Sequence, residues 1–483
     1  MSAAPSPSPG TSAGGGIGSP PSMGLSDNVF KAYDIRGTVP DQLDAATCHA
    51  VGWAFARFAA APRVLVARDM RKSGQELSAA FSDGVRAAGA DVLDLGLAST
   101  DLLYFASGRL DAPGAMFTAS HNPPAYNGIK LCLAGARPVG QDTGLDDIRS
   151  SAARAPAAGA PADRGGYEEI DLLDDYAAHV RSFVDVDRLR PLKVVADTAN
   201  GMGGLVVPLV FGPLPFSVQI LFGELDGTFP NHPADPIQPE NLADLKKAVV
   251  SGGADIGLAF DGDADRVFLV DEQAQPVSGS LTTALVATSM LEKYPGATIL
   301  YNLISSKVVP ETIEEHGGVP VRTRVGHSFI KQVMAETGAV FGGEHSGHYY
   351  FRDNYRADSG IIAALIVLEM LSVASLPLSE LLRPYRRYAD SGEINTMVGD
   401  PVAAVDAIGA RLAAQGISVD RADGITADFG DWWFNVRPSN TEPLLRLNVE
   451  AATQEECDEH VAEVLDMVGD VASLTGGARS GGG

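Results

Sequence analysis

Cysteine is scarce in this chain of 483 residues: Cys48, Cys132 and Cys457 are the three present, odd in number, scattered and without a CxxC pair. That spacing implies neither a disulfide framework nor a cysteine-ligated zinc site, and a reducing compartment, the cytoplasm, is expected. Basic residues are short as well. Thirty-six Lys and Arg stand against 61 Asp and Glu, a formal net charge of minus 25, so neither nucleic acid nor a membrane surface is expected as a partner. Long apolar runs are missing: IIAALIVL at residues 361–368 stops at Glu369, far below the ~20 residues a membrane span needs, and reads as a buried helix. No Lys or Arg precedes Lys31 and no apolar segment stands there. The Pro-, Ser- and Gly-rich start therefore does not resemble a secretory signal and reads as a disordered tail. H-E-x-x-H is absent too, which removes a zincin-type protease, and no G-x-S-x-G surrounds Ser120, which removes an α/β-hydrolase elbow at that serine.

What is present is one layout used three times. RVLVARDMRKSG leads to ADVLDLGLAST, KVVADTANGMGG to SVQILFGELDG, and ATILYNLISSK to VPVRTRVGHS. Each pair is an apolar strand, a polar loop, a helix-like stretch and a second strand roughly 25 to 30 residues on, the spacing of a parallel βαβ unit. Three successive α/β domains follow, in a chain too long for one core. Composition shifts mark the joints. SSAARAPAAGAPADRGG at residues 150–166 reads as a linker or long loop ahead of a helix-like YEEIDLLDDYAAHVRSF, and DEQAQPVSGS at 271–280 as a second break. Later, a helical AVDAIGARLAAQ precedes ISVDRADGITADFGDWWFNVRPSN, which reads as antiparallel strands with turns, hence a smaller α+β unit. The expected boundaries are a tail over 1–25, domain I over 26–168, domain II over 169–275, domain III over 276–389, domain IV over 390–472 and a flexible tail over 473–483.

Four loops carry reactive or ligating groups. In GAMFTASHNPPAYNGIK, Ser120 and His121 follow a strand end, and Pro123 and Pro124 stiffen the backbone beyond them. Neighbouring side chains in an extended loop point apart, so a local Ser–His dyad is not expected; a plain turn is the alternative. In LAFDGDADRVFLVDE, Asp261, Asp263 and Asp265 alternate with small residues, and a short loop can turn all three to one point, as a hard, oxygen-ligated cation requires. An EF-hand fits less well, since Arg266 stands at its sixth position where glycine is needed and the flanks read as strands. In FGGEHSGHYYF, Glu344 and Ser346 among glycines suit sugar hydroxyls better than a His345/His348 metal pair. In RPSNTEPLLRL, Arg437 with Ser439, Asn440 and Thr441 offers a guanidinium fork and short donors for a phosphate dianion, with a capped turn as the alternative. Arg36, Lys130, Arg266, His327, Lys331 and Arg437 lie beside these motifs, cations in an acidic protein that together can hold an anion. A phosphoserine brought onto three aspartates would be expelled unless a divalent cation bridged them.

Taken in order, TASHNP, DGDADR, GEHSGH and RPSNTEP resemble the α-D-phosphohexomutase superfamily, most closely its bacterial phosphomannomutase/phosphoglucomutase branch, over about residues 26–470. The resemblance implies an α/β fold of four domains around a central cleft, three related α/β domains followed by a smaller α+β domain of TATA-binding-protein-like type. It implies an isomerase that interconverts hexose 6-phosphate and hexose 1-phosphate, of mannose, glucose or both. The route is a phosphoserine and a hexose 1,6-bisphosphate, with Mg²⁺ as the metal and the bisphosphate as intermediate and activator. By the same resemblance Ser120 carries the phosphoryl group and joins Asp261, Asp263 and Asp265 at the metal, while His121, Lys130, Arg266 and His327 act in catalysis. Tyr33, Arg36, Lys331, Glu344, Ser346, His348, Arg437, Ser439, Asn440 and Thr441 are then substrate-binding. Two positions depart from the pattern. Ile304 in NLISSK stands where relatives carry a basic residue, with Lys307 further on, and His345 replaces a methionine, or the glutamine of phosphoglucosamine mutases. A phosphoglucosamine mutase and a serine-using sugar-phosphate hydrolase are the alternatives, with a non-enzymatic sugar-phosphate sensor as a third. A monomer is expected, a dimer being the other option.

Overall fold

The computed structural model describes residues 27–156, 164–439 and 444–476. The expected tail over 1–25 lies outside the described residues. The last helix, Gln454–Gly476, continues past residue 473, where the sequence predicts the start of a flexible tail.

Each of the three repeats folds as a parallel βαβ unit. Strand Arg63–Arg68 pairs with Asp91–Leu97 across helix Gly74–Ala87, Lys193–Asp197 with Ser217–Leu221 across Gly203–Phe211, and Thr298–Asn302 with Val319–Thr323 across Val308–Glu315. The leading strands are Val-, Ile- and Leu-rich because a central parallel strand is covered on both faces. Helix Gly74–Ala87 buries Leu77, Phe81 and Val85, one every fourth residue, which seats it on its sheet. To the other side of each leading strand lies a further parallel strand: Gly114–Phe117, Ile256–Phe260 or Phe341–Gly343. Each of these turns back through a loop into an antiparallel partner, Tyr126–Leu133, Val267–Asp271 or Tyr349–Phe351. The loops bearing Ser120, the three aspartates and GEHSGH therefore occupy the same topological position in three successive sheets.

Among the described residues the fourth sheet is antiparallel throughout, with Leu444–Ala451 paired to Ala389–Asp390, Ile394–Met397 and Trp433–Pro438. Helices Pro401–Ala414 and Gln454–Gly476 cover it. One expected element differs. The stretch 167–183 is not helical from its start: Tyr167–Glu169 is an edge strand parallel to Asp91–Leu97, and the helix begins only at Leu173. Pairing with the first sheet decides this, helped by the Tyr167 hydroxyl, which donates to Asp94 at 2.5 Å.

One apolar core runs through the first three units, from Leu65 and Met116 through Val194 and Ile256 to Ile299 and helix Gly360–Ala374, beside separate cores within each of them. That helix contains residues 361–368, all buried, and among the described residues no single helix is long and apolar enough to cross a membrane. The fourth unit has its own core around Ile408, Phe434, Val436, Leu447 and Val464.

The three units also meet at one buried carboxyl. Asp101 Oδ2 accepts from the hydroxyls of Tyr176 and Ser359, both at 2.6 Å, while Oδ1 accepts from Ser99 at 2.5 Å. Burial pushes Asp101 up to about 6 even though these hydroxyls oppose the shift. Between about pH 4 and 6 the folded chain therefore holds a proton that the unfolded chain has released, so this group adds stability as pH falls through that window and withdraws it as pH rises. Denaturation midpoints of the wild type and Asp101→Asn, measured from pH 7 down to pH 4.5, should show the wild type gaining on the variant by about 2 kcal/mol. A pH-independent difference would remove the assignment.

Candidate active site

Strand Gly114–Phe117 is wholly buried and delivers Ser120 to the edge of the first sheet. Ser120 takes a left-handed φ of 48°, and its N–H donates to Thr118 Oγ1 at 2.8 Å. Its Oγ donates to Asp261 Oδ2 at 2.6 Å. His121 Nδ1 lies 3.3 Å from Ser120 Oγ but only 2.6 Å from Arg266 Nη2, which donates to it. Burial, followed by the nearby guanidinium groups of Arg266 and Arg36, pushes His121 well below its usual range, so it is a neutral acceptor for Arg266. The partner of Ser120 is thus the carboxylate from the next domain. The two loops meet so closely that a Cβ on Gly262 would lie 2.4 Å from the Ser120 carbonyl oxygen, which only glycine avoids.

The loop from Asp261 to Arg266 is folded tightly by Ala264 at φ 60° and by the Arg266 N–H, which donates to Asp261 Oδ1 at 3.1 Å. Asp261, Asp263 and Asp265 are at most 1% exposed, and one oxygen from each lies within 4.8 Å of the others. Two cations answer them. Arg266 Nε is 2.9 Å from Asp261, and Lys130 Nζ, reaching over from strand Tyr126–Leu133, is 2.8 Å from Asp263 and 2.6 Å from Asp265. Burial alone would raise Asp263, yet the Lys130 ammonium and the Thr100 hydroxyl, at 2.6 Å, hold it well below the usual carboxylate range. Asp261 goes the other way: burial, against the pull of Arg266, pushes it up to about 7. Asp263 Oδ1 and Asp265 Oδ1 are buried and have no hydrogen-bond partner among the described residues. Such oxygens are costly unless something binds them, and two beside a third carboxylate form the all-oxygen donor set of a hard divalent cation. The residues fit such an ion.

The GEHSGH loop closes the site from the third sheet. Glu344 is 2% exposed, accepting from the Tyr350 hydroxyl at 2.7 Å and the Gly326 N–H at 3.2 Å, so it ties its loop to the turn before helix His327–Thr337. Ser346 is half-buried at the tip. His348 bridges to Arg266 through the backbone. Its Nδ1 is 2.8 Å from Asp358 and 3.9 Å from Asp265, and these carboxylates, overcoming burial, raise its pKa. Lys331 does not open on the cleft: it is 3% exposed, its ammonium 3.0 Å from Asp358 Oδ1 and 3.7 Å from the centre of the Tyr104 ring. His345 turns to Ser280, 3.2 Å away, at the seam with the fourth unit near Trp433 and Glu450.

The remaining expected residues frame the site. Arg36 Nη1 donates to Asn122 Oδ1 at 2.6 Å, beside Ser120. The Tyr33 hydroxyl donates to the Val325 carbonyl at 3.4 Å and its ring meets Phe329 edge-on, joining the first unit to the third. Arg437 is 6% exposed, donating to Asn435 and Asn448 at 3.1 and 3.0 Å and pairing with Glu393 at 2.5 Å. Ser439 follows, its N–H bound to the Leu444 carbonyl. Asn440 and Thr441 lie outside the described residues, and His327 is placed only through its backbone, as the first residue of its helix. Lys307 reaches the fourth unit instead, with Nζ 2.7 Å from Asp428 and 2.6 Å from the Gly430 carbonyl. Sequence reasoning missed Thr100, Asp358, Tyr104 and Arg71. Thr100 and Asp358 stand beside N-cap serines, Ser99 and Ser359, a signal that two helix starts border the site.

Models of the phosphoglucomutase/phosphomannomutase family match domain by domain: alpha/beta/alpha domain I at 27–157, domain II at 174–275, domain III at 278–388 and the C-terminal domain at 393–467. The chain belongs to the phosphoglucomutase/phosphomannomutase family. A phosphomannomutase of Salmonella typhimurium is 40% identical over 431 residues, 87% of this chain and 94% of the relative. Phosphohexose mutases of Xanthomonas campestris pv. campestris are 42% identical over 424 residues, with the same coverage. A solved phosphoglucomutase/phosphomannomutase family protein from Burkholderia thailandensis matches with a TM-score of 0.83 at 32% identity, covering 92% of this chain and 98% of that one.

In this family member, Asp358 stands between Lys331 and His348 as a shared counter-ion. Replacing it by asparagine removes a charge that raises the His348 pKa, so any limb of the kcat/KM profile set by His348 moves to lower pH, and kcat falls about tenfold. An unshifted profile in Asp358→Asn would uncouple the two.

Proposed function

We propose that the chain is a phosphohexomutase, interconverting the 6-phosphate and 1-phosphate of mannose, glucose or both. The observation that carries this is the Ser120 hydroxyl held 2.6 Å from Asp261 inside the three-aspartate cluster. Arg36, Lys130 and Arg266 stand beside it in a protein whose net charge is minus 25. Asp261, Asp263 and Asp265 are the residues that would hold Mg²⁺, with an oxygen of phosphoserine 120 as a further ligand. When bound, the ion neutralises charge on the phosphoryl oxygens.

The chain's own groups do the rest. The Ser120 Oγ–P bond breaks as a bond forms between phosphorus and the free hydroxyl of the sugar phosphate, whose proton leaves to a base. His348, oriented by Asp358, is the group we assign to take it. Arg266, with Nη2 3.4 Å from Ser120 Oγ and steadied by neutral His121, faces the charge that develops on the departing oxygen. The resulting 1,6-bisphosphate reorients and returns its other phosphate to Ser120. Arg437 and Ser439, with Asn440 and Thr441, hold whichever phosphate is not reacting. Ser346 meets sugar hydroxyls on a loop that Glu344 anchors, Tyr33, Arg36 and His327 border the ligand, and Lys331 acts through Asp358.

His345 faces Ser280 rather than the Ser120 loop, so its departure from relatives bears on the domain seam more than on the sugar ring. The relatives named phosphomannomutase and phosphohexose mutase support mannose and glucose phosphates as the substrates. The setting this reading assumes is a monomer in the cytoplasm; all three cysteines are buried thiols.

With catalytic glucose 1,6-bisphosphate present, mannose 1-phosphate and glucose 1-phosphate competing in one reaction with glucosamine 1-phosphate should yield the 6-phosphates without inorganic phosphate. Mass spectrometry should find phosphate on Ser120, and Ser120→Ala should lose at least about 10³-fold in kcat. Phosphate release matching sugar phosphate loss would make the chain a hydrolase instead. For the metal, Mg²⁺ added to chelator-treated protein should raise the unfolding midpoint, and Asp263→Asn should lose that rise. A wild type that does not respond would count against the cluster as a cation site.

A further inference from the structure

Arg71 follows strand Arg63–Arg68 in the run RDMRKSG, and the reaction outlined above gives it no part. It is 2% exposed. Its Nη1 donates to the carbonyls of Pro123 and Tyr126 at 2.9 and 3.0 Å, and its Nη2 to those of Ser120 and Asn122 at 2.8 and 2.7 Å. Nε lies 3.2 Å from Asp69 Oδ2, and Asp69, wholly buried, also accepts from the Arg71 backbone N–H at 2.9 Å. Four of the five N–H groups of the guanidinium are thereby bonded to the backbone of one loop, while Nε, ion-paired with Asp69, makes no hydrogen bond among the described residues.

The second domain packs the same group from behind. The Phe229 ring centre is 5.1 Å from the guanidinium carbon, and Gly227 comes so close that a Cβ there would lie 2.6 Å from Arg71 Cα. Within the loop, Asn122 N–H bonds the Ala119 carbonyl, Tyr126 N–H bonds that of Pro123 and Ser120 N–H bonds Thr118 Oγ1. Four carbonyl oxygens turned inward to one point repel one another, and if the cation is withdrawn each loses a donor, with the Pro123 carbonyl keeping its bond to the Tyr126 N–H. The loop conformation and the buried guanidinium require each other.

We propose that Arg71 is the positioning residue of the phosphoryl-transfer site, acting through Ser120: by holding the Ser120 carbonyl and three carbonyls beyond it, it sets where Oγ stands against Asp261. This rests on the phosphohexomutase reading. The planar fork is what the role needs, since a lysine ammonium keeps the charge but offers three donors from a single point. The fixed charge beneath the loop also favours a phosphoserine on it.

Arg71→Lys and Arg71→Ala test this in the full chain. Arg71→Lys is expected to lower kcat about 10²-fold while KM stays within about threefold, because a misplaced nucleophile loses alignment and not substrate affinity. Phosphate released per sugar isomerised should rise as the displaced phosphoserine meets water. Free guanidinium ion should restore at least about tenfold of the kcat lost in Arg71→Ala, and ammonium ion should not. Wild-type kcat in Arg71→Lys, or a loss in both variants that follows the unfolded fraction and ignores guanidinium, would overturn the proposal. If Arg71→Ala does not fold, Asp69→Asn loosens one edge of the fork and should lower kcat about threefold to tenfold; no change there counts against it equally. Amide exchange over residues 119–126 reads the same assignment without the reaction. Faster exchange confined to that loop in Arg71→Lys supports it and unchanged exchange overturns it, even if the wild type proves not to be a mutase.

Discussion

Asp261, Asp263 and Asp265 are held within 4.8 Å of one another at no more than 1% exposure, where water screens their repulsion little. Cations must come to them, and where those cations come from shapes the molecule. Arg266 belongs to the same loop, but Lys130 is supplied by the first unit, as are the hydroxyls of Ser120 and Thr100. Separating the first two units would strand three carboxylates with one counter-ion, so their docking is enforced by charge as well as by the shared apolar core. Two cations leave the cluster one charge in deficit, and a phosphate on Ser120 deepens it. On the phosphoserine reading, a divalent cation at the cluster would offset that added charge.

The three active loops are equivalent parts. Each leaves the strand that lies parallel to the leading strand of its sheet and returns antiparallel, so one topology used three times sends three loops to the same kind of sheet edge. Ligand sites in open α/β sheets gather at such strand ends. The fourth unit is built differently and keeps a core of its own. It meets the third unit through polar contacts such as Lys307 to Asp428 and the Lys307 N–H to Glu450. A unit joined that way moves at less cost than one sharing the central core, and it carries Arg437, the group assigned to the idle phosphate.

Much of this was legible in the residues. The three βαβ units, the antiparallel last unit, the buried helix at 361–368 and the convergence of the aspartates all follow from period, spacing and residue type. What could not be read is direction. A motif puts a lysine or glutamate in a loop without saying which way it points: Lys331 faces Asp358, Glu344 is taken up by Tyr350 and Gly326, and His345 looks toward Ser280. Apart from the near neighbour Tyr350 at six residues, those orientations depend on partners 18 to 65 residues away, Gly326, Asp358 and Ser280, which come within reach only after the sheets assemble. The strand Tyr167–Glu169 was hidden because every residue in it is exposed, leaving no alternation to mark it. Arg71, in a run of charged residues, reads as a solvated surface group, and only its burial says otherwise.

Ser120 is constrained from two directions by groups of different kinds. Its side chain answers to Asp261 and Arg266 in the second domain, while its carbonyl answers to Arg71 in the first. A serine held by its side chain alone would move whenever the charge on Oγ changed, and that charge changes in every half of a phosphoryl-exchange cycle. Anchoring the backbone to a guanidinium that touches no reacting atom decouples the seat of the nucleophile from its charge state. The adjacent histidine, neutral and bonded to Arg266, adds nothing to the charge and steadies the one side chain that must follow it. On the phosphoserine reading, rigidity here would keep Oγ facing the aspartates whether or not it carries a phosphoryl group, and would limit the time a phosphoserine is open to water.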